Sequence, residues 1–191
     1  MLREMVELES PSDDAAAVTR MAEWVAERIS SHGRVRLFQG KPYGKHLRCE
    51  FKLKGAPVDR RVLALGHLDT VWPIGTLREM PFREEDGRLY GPGVFDMKGG
   101  VSFFLMAMEA IRELGLKPVA RVSLLLVADE EVGSLNSRPL TEETARGADV
   151  ALVLEPAMGA EGKLKTARKG TGLFRLQVQG RPSHSGLDFE A

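Results

Sequence analysis

Three apolar runs along the chain each lead into an acidic residue or a histidine. They are VLALGHLD, VSLLLVADEE and DVALVLEP, at Val62–Asp69, Val122–Glu131 and Asp149–Pro156. The length of these runs and their branched aliphatic residues predict buried β-strands. Helical spacing of apolar residues marks three other segments, at Ser12–Ser31, Asp96–Leu114 and Arg138–Ala145. Strands that alternate with helices predict an α/β fold, in which a mostly parallel sheet is flanked by helices.

Shorter patterns add three elements to this order. Two early strands are predicted near Val35–Phe38 and His46–Leu53. The pair Asp86–Gly87 is typical of a tight turn, so the loop around it is expected to contain a hairpin. The helix after Asp96 is apolar around most of its circumference, and we therefore expect it to be central and buried.

The two ends of the chain carry their own patterns. Ser12 or Asp13 is expected to cap the first predicted helix. Near the other end, Gly172–Gly180 alternates apolar and polar residues, which predicts a strand with one face in water. We therefore divide the chain into a first domain at residues 1–170 and the beginning of a second at residues 171–191.

Composition and charge exclude several classes of protein. Lys and Arg number 27, as do Asp and Glu, so the basic stripe of a nucleic-acid-binding protein is not expected. The longest apolar stretch, Val101–Ile111, is too short to span a bilayer, and no membrane attachment is expected. The single cysteine, Cys49, excludes an internal disulfide framework, and we read it as a half-buried strand thiol. A reducing, cytoplasmic setting follows as the expectation.

Six polar residues are predicted to meet at one edge of the sheet. The carboxyl ends of parallel strands lie together, and ligands bind in the crevice outside them. One imidazole and several carboxylates at such an edge are typical of a hydrolytic metal site. The residues are His67, Asp69, Asp96, Glu130, Glu131 and Glu155.

The histidine and the two aspartates each allow two interpretations. His67 and Asp69 are two positions apart, so they form either a strand-end hydrogen bond or a metal ligand with the carboxylate that orients it. Asp96 either caps the helix that follows it or bridges two metal ions. The glycines around Asp96 permit a close approach of the backbone.

The three glutamates also allow two interpretations each. Glu130 and Glu131 are adjacent and point apart in an extended chain, so they are either solvated residues at a strand end or a metal ligand beside a general base. Glu155 is either a loop acid or a ligand. The functional interpretation is favoured because all these residues are expected at the same edge.

The motifs that hold these residues resemble the M20 family of zinc-dependent peptidases and deacylases. In order, they are GHLDTVW, GPGVFDMKGG, ADEEVGS, LEP and GRPSHSG. Within that family the chain is most similar to glutamate carboxypeptidases of the carboxypeptidase G2 type. The resemblance implies a zinc-exopeptidase-like fold with an inserted α+β lid domain that also mediates dimerisation.

The resemblance also implies which residues hold metal. His67 and Glu155 would bind a first zinc ion, and Glu131 would bind a second. Asp96 would bridge the two ions, and its peptide bond to Met97 would be cis. Co²⁺ or Mn²⁺ could take the place of Zn²⁺, because a mixed nitrogen and oxygen ligand set suits several metals.

Three further residues receive catalytic roles from the same resemblance. Glu130 would be the general base, and Asp69 would orient His67. His184 would cross to the partner subunit of a homodimer and polarise the scissile carbonyl. A histidine in a simple turn is the alternative for His184.

The expected activity is zinc-dependent hydrolysis of an amide bond in a small peptide or N-acyl amino acid. Release of a C-terminal residue is the first hypothesis. A deacylase similar to acetylornithine deacetylase or succinyl-diaminopimelate desuccinylase, and a non-catalytic module, are the alternatives. Family members are about twice as long as this chain, so we expect an N-terminal fragment that has little or no activity alone.

Overall fold

Strands and helices alternate along the first 156 residues, as the sequence predicts. The computed structural model describes residues 1–55, 59–180, 184 and 186. The chain divides into two units, Met1–Pro156 and Ala157–Ala191. The helices of the first unit are α1 (Leu2–Glu7), α2 (Ala15–Ile29), α3 (Gly99–Glu113) and α4 (Arg138–Ala145). Its strands are β1 (Gly33–Gln39), β2 (Lys45–Phe51), β3 (Arg61–His67), β4 (Arg83–Glu85), β5 (Arg88–Tyr90), β6 (Arg121–Val127) and β7 (Val150–Val153).

Five strands form one mixed sheet in the order β1-β2-β6-β3-β7. The core strands β6, β3 and β7 are parallel, whereas β1 and β2 pair antiparallel. The β1–β2 connection spans only residues 40–44, which suits a hairpin and is far too short for a parallel crossover. The parallel core with its flanking helices confirms the predicted α/β class.

The separate hairpin of β4 and β5 lies where the sequence predicts one. The two strands pair antiparallel, and Asp86 and Gly87 form the turn between them. Both turn residues have positive φ angles, which aspartate and glycine adopt more readily than other residues.

Helices cover both faces of the five-stranded sheet. On one face, α2 and α3 pack against alternate strand residues that include Leu47, Ala64 and Leu124. On the other face, Leu63 and Leu125 pack beneath α4 and the residues that follow it. Because both faces are covered, most of β3 and β6 is buried, including the residues at their carboxyl ends.

The prediction that α3 is a central, buried helix is correct for one side of the helix and wrong for the other. Val101, Leu105 and Met108 are buried, and their spacing places them on one side of the helix. Phe103 and Met106 are 73% and 54% exposed, because they lie on the side away from the sheet. Among the described residues, none of the helices has the length and hydrophobicity needed to cross a membrane.

The cap of α2 also differs from the prediction. Asp14 is the N-cap, and its carboxylate accepts hydrogen bonds from the backbone N–H groups of the second and third helical residues at 3.0 and 2.9 Å. Neither Ser12 nor Asp13 has this role, because the Ser12 hydroxyl is bonded elsewhere. The short helix α1, which the sequence analysis did not predict, precedes this segment.

Cys49 lies deeper than predicted. Its side chain faces the α2–α3 side of the sheet and is fully buried. Burial, with a smaller effect from the charge of Glu50, raises the pKa of the thiol to about 12. The thiol therefore stays protonated and acts as a small apolar core residue.

The predicted strand at Gly172–Gly180 does not form. Residues 164–180 have no regular secondary structure, and the described part of the second unit has a single isolated bridge, between Met158 and Lys163. A strand needs a neighbour to accept and donate its backbone hydrogen bonds, and the described part of the second unit offers this segment no strand to pair with. The domain division at residue 170 stays a prediction.

Candidate metal centre

The ends of three neighbouring parallel strands carry the predicted site. His67 is the last residue of β3, Glu130 follows the end of β6, and Glu155 follows the end of β7. Since β3 lies between β6 and β7, these ends share one edge of the sheet. The turn that leads into α3 brings Asp96 to the same edge.

The His67 imidazole lies at the centre of the acids. The residue is 2% exposed. Its Nε2 atom is 3.0 Å from Asp96 Oδ1, 3.4 Å from Glu155 Oε1 and 3.9 Å from Glu130 Oε2. Its Nδ1 atom donates to the backbone carbonyl of Asp69 at 2.9 Å. This bond fixes the orientation of the ring and directs Nε2 towards the carboxylates.

Asp69 connects the histidine to the acids after β6. Its carboxylate is buried and lies 3.5 Å from His67 Nδ1, farther than its own backbone carbonyl. It accepts hydrogen bonds from the Ser12 hydroxyl at 2.7 Å and from the N–H groups of Glu130 and Glu131 at 3.2 Å each. Burial opposes the charge, but hydrogen bonds from His67 and Ser12 hold the pKa of Asp69 below its usual value.

The backbone of the turn before α3 directs the side chain of Asp96 towards His67. The Asp96–Met97 peptide bond is cis, as the resemblance implies. Lys98 occupies the N-cap position of α3, and no side chain there bonds to the first turn. Asp96 is therefore not a helix cap, and its carboxylate is directed to His67 instead.

The acids change the protonation of the site. Burial opposes charge on the imidazole, but contacts with Asp69 and Glu155 outweigh it and raise the pKa of His67 to about 11. Burial raises the pKa of Glu130 and of Glu131, and neighbouring carboxylates add to this effect while His67 opposes it. The site therefore attracts a cation, as a metal centre must.

Two groups of side chains could each hold a metal ion. His67, Glu130 and Glu155 form one group, and His67, Asp96 and Glu131 form the other. Within each group the ligand atoms lie within 4.8 Å of one another. One imidazole with two carboxylates matches a catalytic zinc site, which has three protein ligands and an open position. The residues present therefore fit a divalent metal.

Metal binding should tighten as the pH rises. A metal ligand must be deprotonated, and the raised pKa values of His67, Glu130 and Glu131 mean that bound protons must leave when metal enters. Below those pKa values the protons compete with the metal, so affinity for Co²⁺ should rise about tenfold per pH unit for each proton released. Isothermal titration in two buffers with different ionisation heats counts these protons. Equal heats in both buffers, with a constant affinity between about pH 6 and pH 8, would contradict the expectation.

His184 lies in the second unit of the chain. It is exposed, and its Nδ1 atom accepts a hydrogen bond from the N–H of Gly186 at 3.1 Å. This contact is typical of a histidine in a turn, the alternative raised by the sequence. Residues 181–183 and 185 of the same motif lie outside the described residues. The catalytic role of His184 stays a prediction.

Three polar residues near the site were not predicted as part of it. Ser12 contacts Asp69, Lys98 is buried and donates to the carbonyl of Leu8 at 2.9 Å, and Glu9 accepts from N–H groups in residues 75–77. Burial lowers the pKa of Lys98 to about 7, although Glu9 opposes this effect. No local pattern marks these contacts, since their partners lie 57 to 90 positions away. For Ser12 and Glu9, the sequence offered one signal, the cluster of polar residues in the short link between α1 and α2.

The sequence of residues 63–180 matches the peptidase family M20/M25/M40. The chain belongs to this family. Membership of a metallopeptidase family implies a divalent metal ion, in agreement with the ligand groups around His67.

A relative of this M20 chain is a bacterial carboxypeptidase. The chain is 29% identical to carboxypeptidase G2 of Pseudomonas sp. (strain RS-16) over 188 residues, which cover 97% of this chain and 45% of the relative. The chain therefore spans less than half the length of that enzyme.

Solved structures share the fold. Human carnosine dipeptidase 1 superposes with a TM-score of 0.70 at 25% identity, over 82% of this chain and 39% of that protein. The M20 metallo-carboxypeptidase Sso-CP2 of Sulfolobus solfataricus superposes with a TM-score of 0.67 at 21% identity, over 84% of this chain and 38% of that one. The arrangement of strands and helices is thus that of an M20 peptidase domain.

Proposed function

We propose that the protein containing this chain is a metal-dependent carboxypeptidase that releases a C-terminal, glutamate-like residue from a small peptide or N-acyl amino acid. The observation that carries this proposal is the position of His67, which belongs to both ligand groups at one sheet edge. The similarity to carboxypeptidase G2 supports the substrate class.

The proposed cofactor is a pair of Zn²⁺ ions, for which Co²⁺ or Mn²⁺ could substitute. His67 and Glu155 would hold one ion, Glu131 the other, and Asp96 would bridge them. When bound, the metal would lower the pKa of a water molecule and polarise the substrate carbonyl. Asp69 would keep the imidazole of His67 in the orientation that ligation requires.

Glu130 is the proposed general base. Its side chain is 47% exposed at the edge of the site, so water and substrate can reach it. Burial and neighbouring carboxylates raise the pKa of Glu130, which brings it nearer to neutral pH and improves it as a proton carrier. Glu130 would take a proton from the attacking water and deliver it to the leaving amine.

Three further proposals concern the association of subunits, the role of His184 and the activity of residues 1–191 alone. Residues 171–191 would begin a lid domain through which two subunits associate, and His184 would act in the partner subunit's site. With His67 in the first ligand set, the second set retains only Asp96 and Glu131, fewer than the three protein ligands of a catalytic zinc site. Residues 1–191 alone would therefore hydrolyse little or no substrate.

The test is hydrolysis of an N-acyl-glutamate by the intact protein, with N-acetylornithine as the competing substrate. We expect the N-acyl-glutamate to be cleaved faster, with activity lost in a chelator and restored by Zn²⁺. Faster cleavage of N-acetylornithine would make the protein a deacylase. Tight zinc binding with no hydrolysis of either compound would make it a non-catalytic module. Zinc-dependent turnover by residues 1–191 alone would contradict the proposed inactivity of this part.

A further inference from the structure

The link between α1 and α2 runs alongside the loop that follows β3. Pro11 and Thr70 form a parallel bridge, in which Thr70 N–H donates to the Ser10 carbonyl at 2.9 Å and Ser12 N–H donates to the Thr70 carbonyl at 3.1 Å. The Ser10 hydroxyl also donates to the Leu68 carbonyl at 2.7 Å. The link is thereby fixed beside the residues that follow His67.

Among the contacts described above, Ser12 is the residue of this link whose side chain reaches the Asp69 carboxylate. Ser12 is 8% exposed, and its hydroxyl donates to Asp69 Oδ2 at 2.7 Å. That oxygen also accepts the N–H of Glu131, while Oδ1 accepts the N–H of Glu130 and faces His67 Nδ1. The Ser12 hydroxyl therefore contacts a carboxylate that itself lies against His67, Glu130 and Glu131.

No cation pairs with the buried Asp69 carboxylate other than His67, within the described part of the chain. Three hydrogen-bond donors must therefore hold the orientation of this carboxylate: the Ser12 hydroxyl and the N–H groups of Glu130 and Glu131. The two N–H groups belong to the segment that the carboxylate itself positions. The Ser12 hydroxyl is the donor that comes from outside the site. Without it, the carboxylate can rotate, so the N–H groups of Glu130 and Glu131 lose a fixed acceptor and the charge beside His67 Nδ1 loses its fixed position.

We propose that Ser12 is a positioning residue of the metal site: its hydroxyl holds the Asp69 carboxylate, which in turn anchors the backbone of Glu130 and Glu131 and lies 3.5 Å from Nδ1 of the ligand His67. This role rests on the proposed metal-dependent function. It predicts that loss of the hydroxyl weakens metal binding more than it weakens the fold.

The experiment compares Ser12→Ala with Ser12→Thr in the chain of residues 1–191, with Co²⁺ alone as the probe. The dissociation constant comes from the visible absorption of bound Co²⁺, and urea unfolding of the metal-free chain reports stability. We expect Ser12→Ala to raise the dissociation constant about tenfold, the lower end of the loss caused by removing a residue that hydrogen-bonds to a metal ligand. Ser12→Thr keeps the hydroxyl and should bind Co²⁺ within about twofold of the wild type.

Two control variants separate positioning from general support. Ser10→Ala removes a buried hydroxyl bond of the same link, to Leu68, and should lower stability while leaving the dissociation constant unchanged. Ser30→Ala removes an exposed hydroxyl bond to the Glu27 carbonyl at a helix end and should alter neither. If Ser12→Ala loses its cooperative urea transition, Ser12→Val, which has the shape of the threonine variant but no hydroxyl donor, takes its place.

The results separate the two levels of the proposal. Wild-type Co²⁺ affinity in Ser12→Ala, or in Ser12→Val where that variant is used, overturns the role of Ser12 alone. An equal loss of affinity in Ser10→Ala also overturns it, because the link would then act only as general support. Failure of the wild-type chain to bind Co²⁺ overturns both the proposed metal site and the role of Ser12.

Discussion

Replacing Glu130 with glutamine should lower metal-dependent hydrolysis by the intact protein by a factor of about 10²–10⁴, the usual contribution of a general base. Glutamine has nearly the same shape but cannot take up a proton at neutral pH. Because the site still contains His67, Asp96 and Glu155, zinc content should stay at the wild-type level. The loss should fall on kcat, with KM little changed, since the lost interaction acts in the transition state.

Two other glutamate-to-glutamine variants show whether the loss in Glu130→Gln is specific to a general base. Glu131→Gln removes a proposed ligand, so it should lose metal and activity together. Glu84→Gln alters an exposed acid on β4 and should have no effect. If Glu130→Gln also loses its metal, Glu130 is a ligand, as its position beside His67 and Glu155 allows, and the general base lies elsewhere.

Gly100→Ala is expected to destabilise the fold and weaken the metal site together. A Cβ atom at this position in the first turn of α3 would lie 1.8 Å from the backbone carbonyl oxygen of Leu154. That distance is far inside van der Waals contact, and backbone atoms cannot move aside as a side chain can. Either α3 or the segment that carries Glu155 must shift, at a cost of roughly 1–3 kcal/mol of unfolding free energy.

The expected loss of stability is opposite to the usual effect of replacing glycine with alanine in a helix. In an unobstructed helix, replacement of glycine by alanine stabilises by roughly 0.5–1 kcal/mol. Urea unfolding measures the change in stability, and Co²⁺ titration measures the displacement of Glu155. Gly170→Ala is the control, because no atom lies within 4 Å of a Cβ atom there. A Gly100→Ala chain as stable as the wild type would refute the close-contact argument.

Several elements were predictable because the information that forms them is local. The helix at Arg138–Ala145 has the predicted bounds, and Asp86 and Gly87 form the expected turn. The convergence of His67 with the acids was predictable for a related reason. Parallel strands end at one edge, so knowledge of where each strand ends is enough to bring its last polar residue to the site.

The errors share a different cause. Apolar residues around most of α3 predicted a central, buried helix, but the sheet supplies only one surface for it to pack against. Alternation at Gly172–Gly180 predicted a strand, but a strand also needs a neighbour. In both places the sequence pattern describes what a segment could bury or pair with, whereas the partners determine what it does.

The amino-acid order by itself determined the α/β class, the strand ends and the identity of the residues that meet at the sheet edge. Hydrophobic periodicity and turn residues are sufficient for that, because they act over a few neighbouring positions. Only the tertiary structure decided that Ser12 contacts Asp69 and not the helix that follows it, and that His67 contacts the carbonyl of Asp69 more closely than its carboxylate. Such contacts join residues across the fold or depend on ångström differences in position, and these are set when the sheet and helices pack.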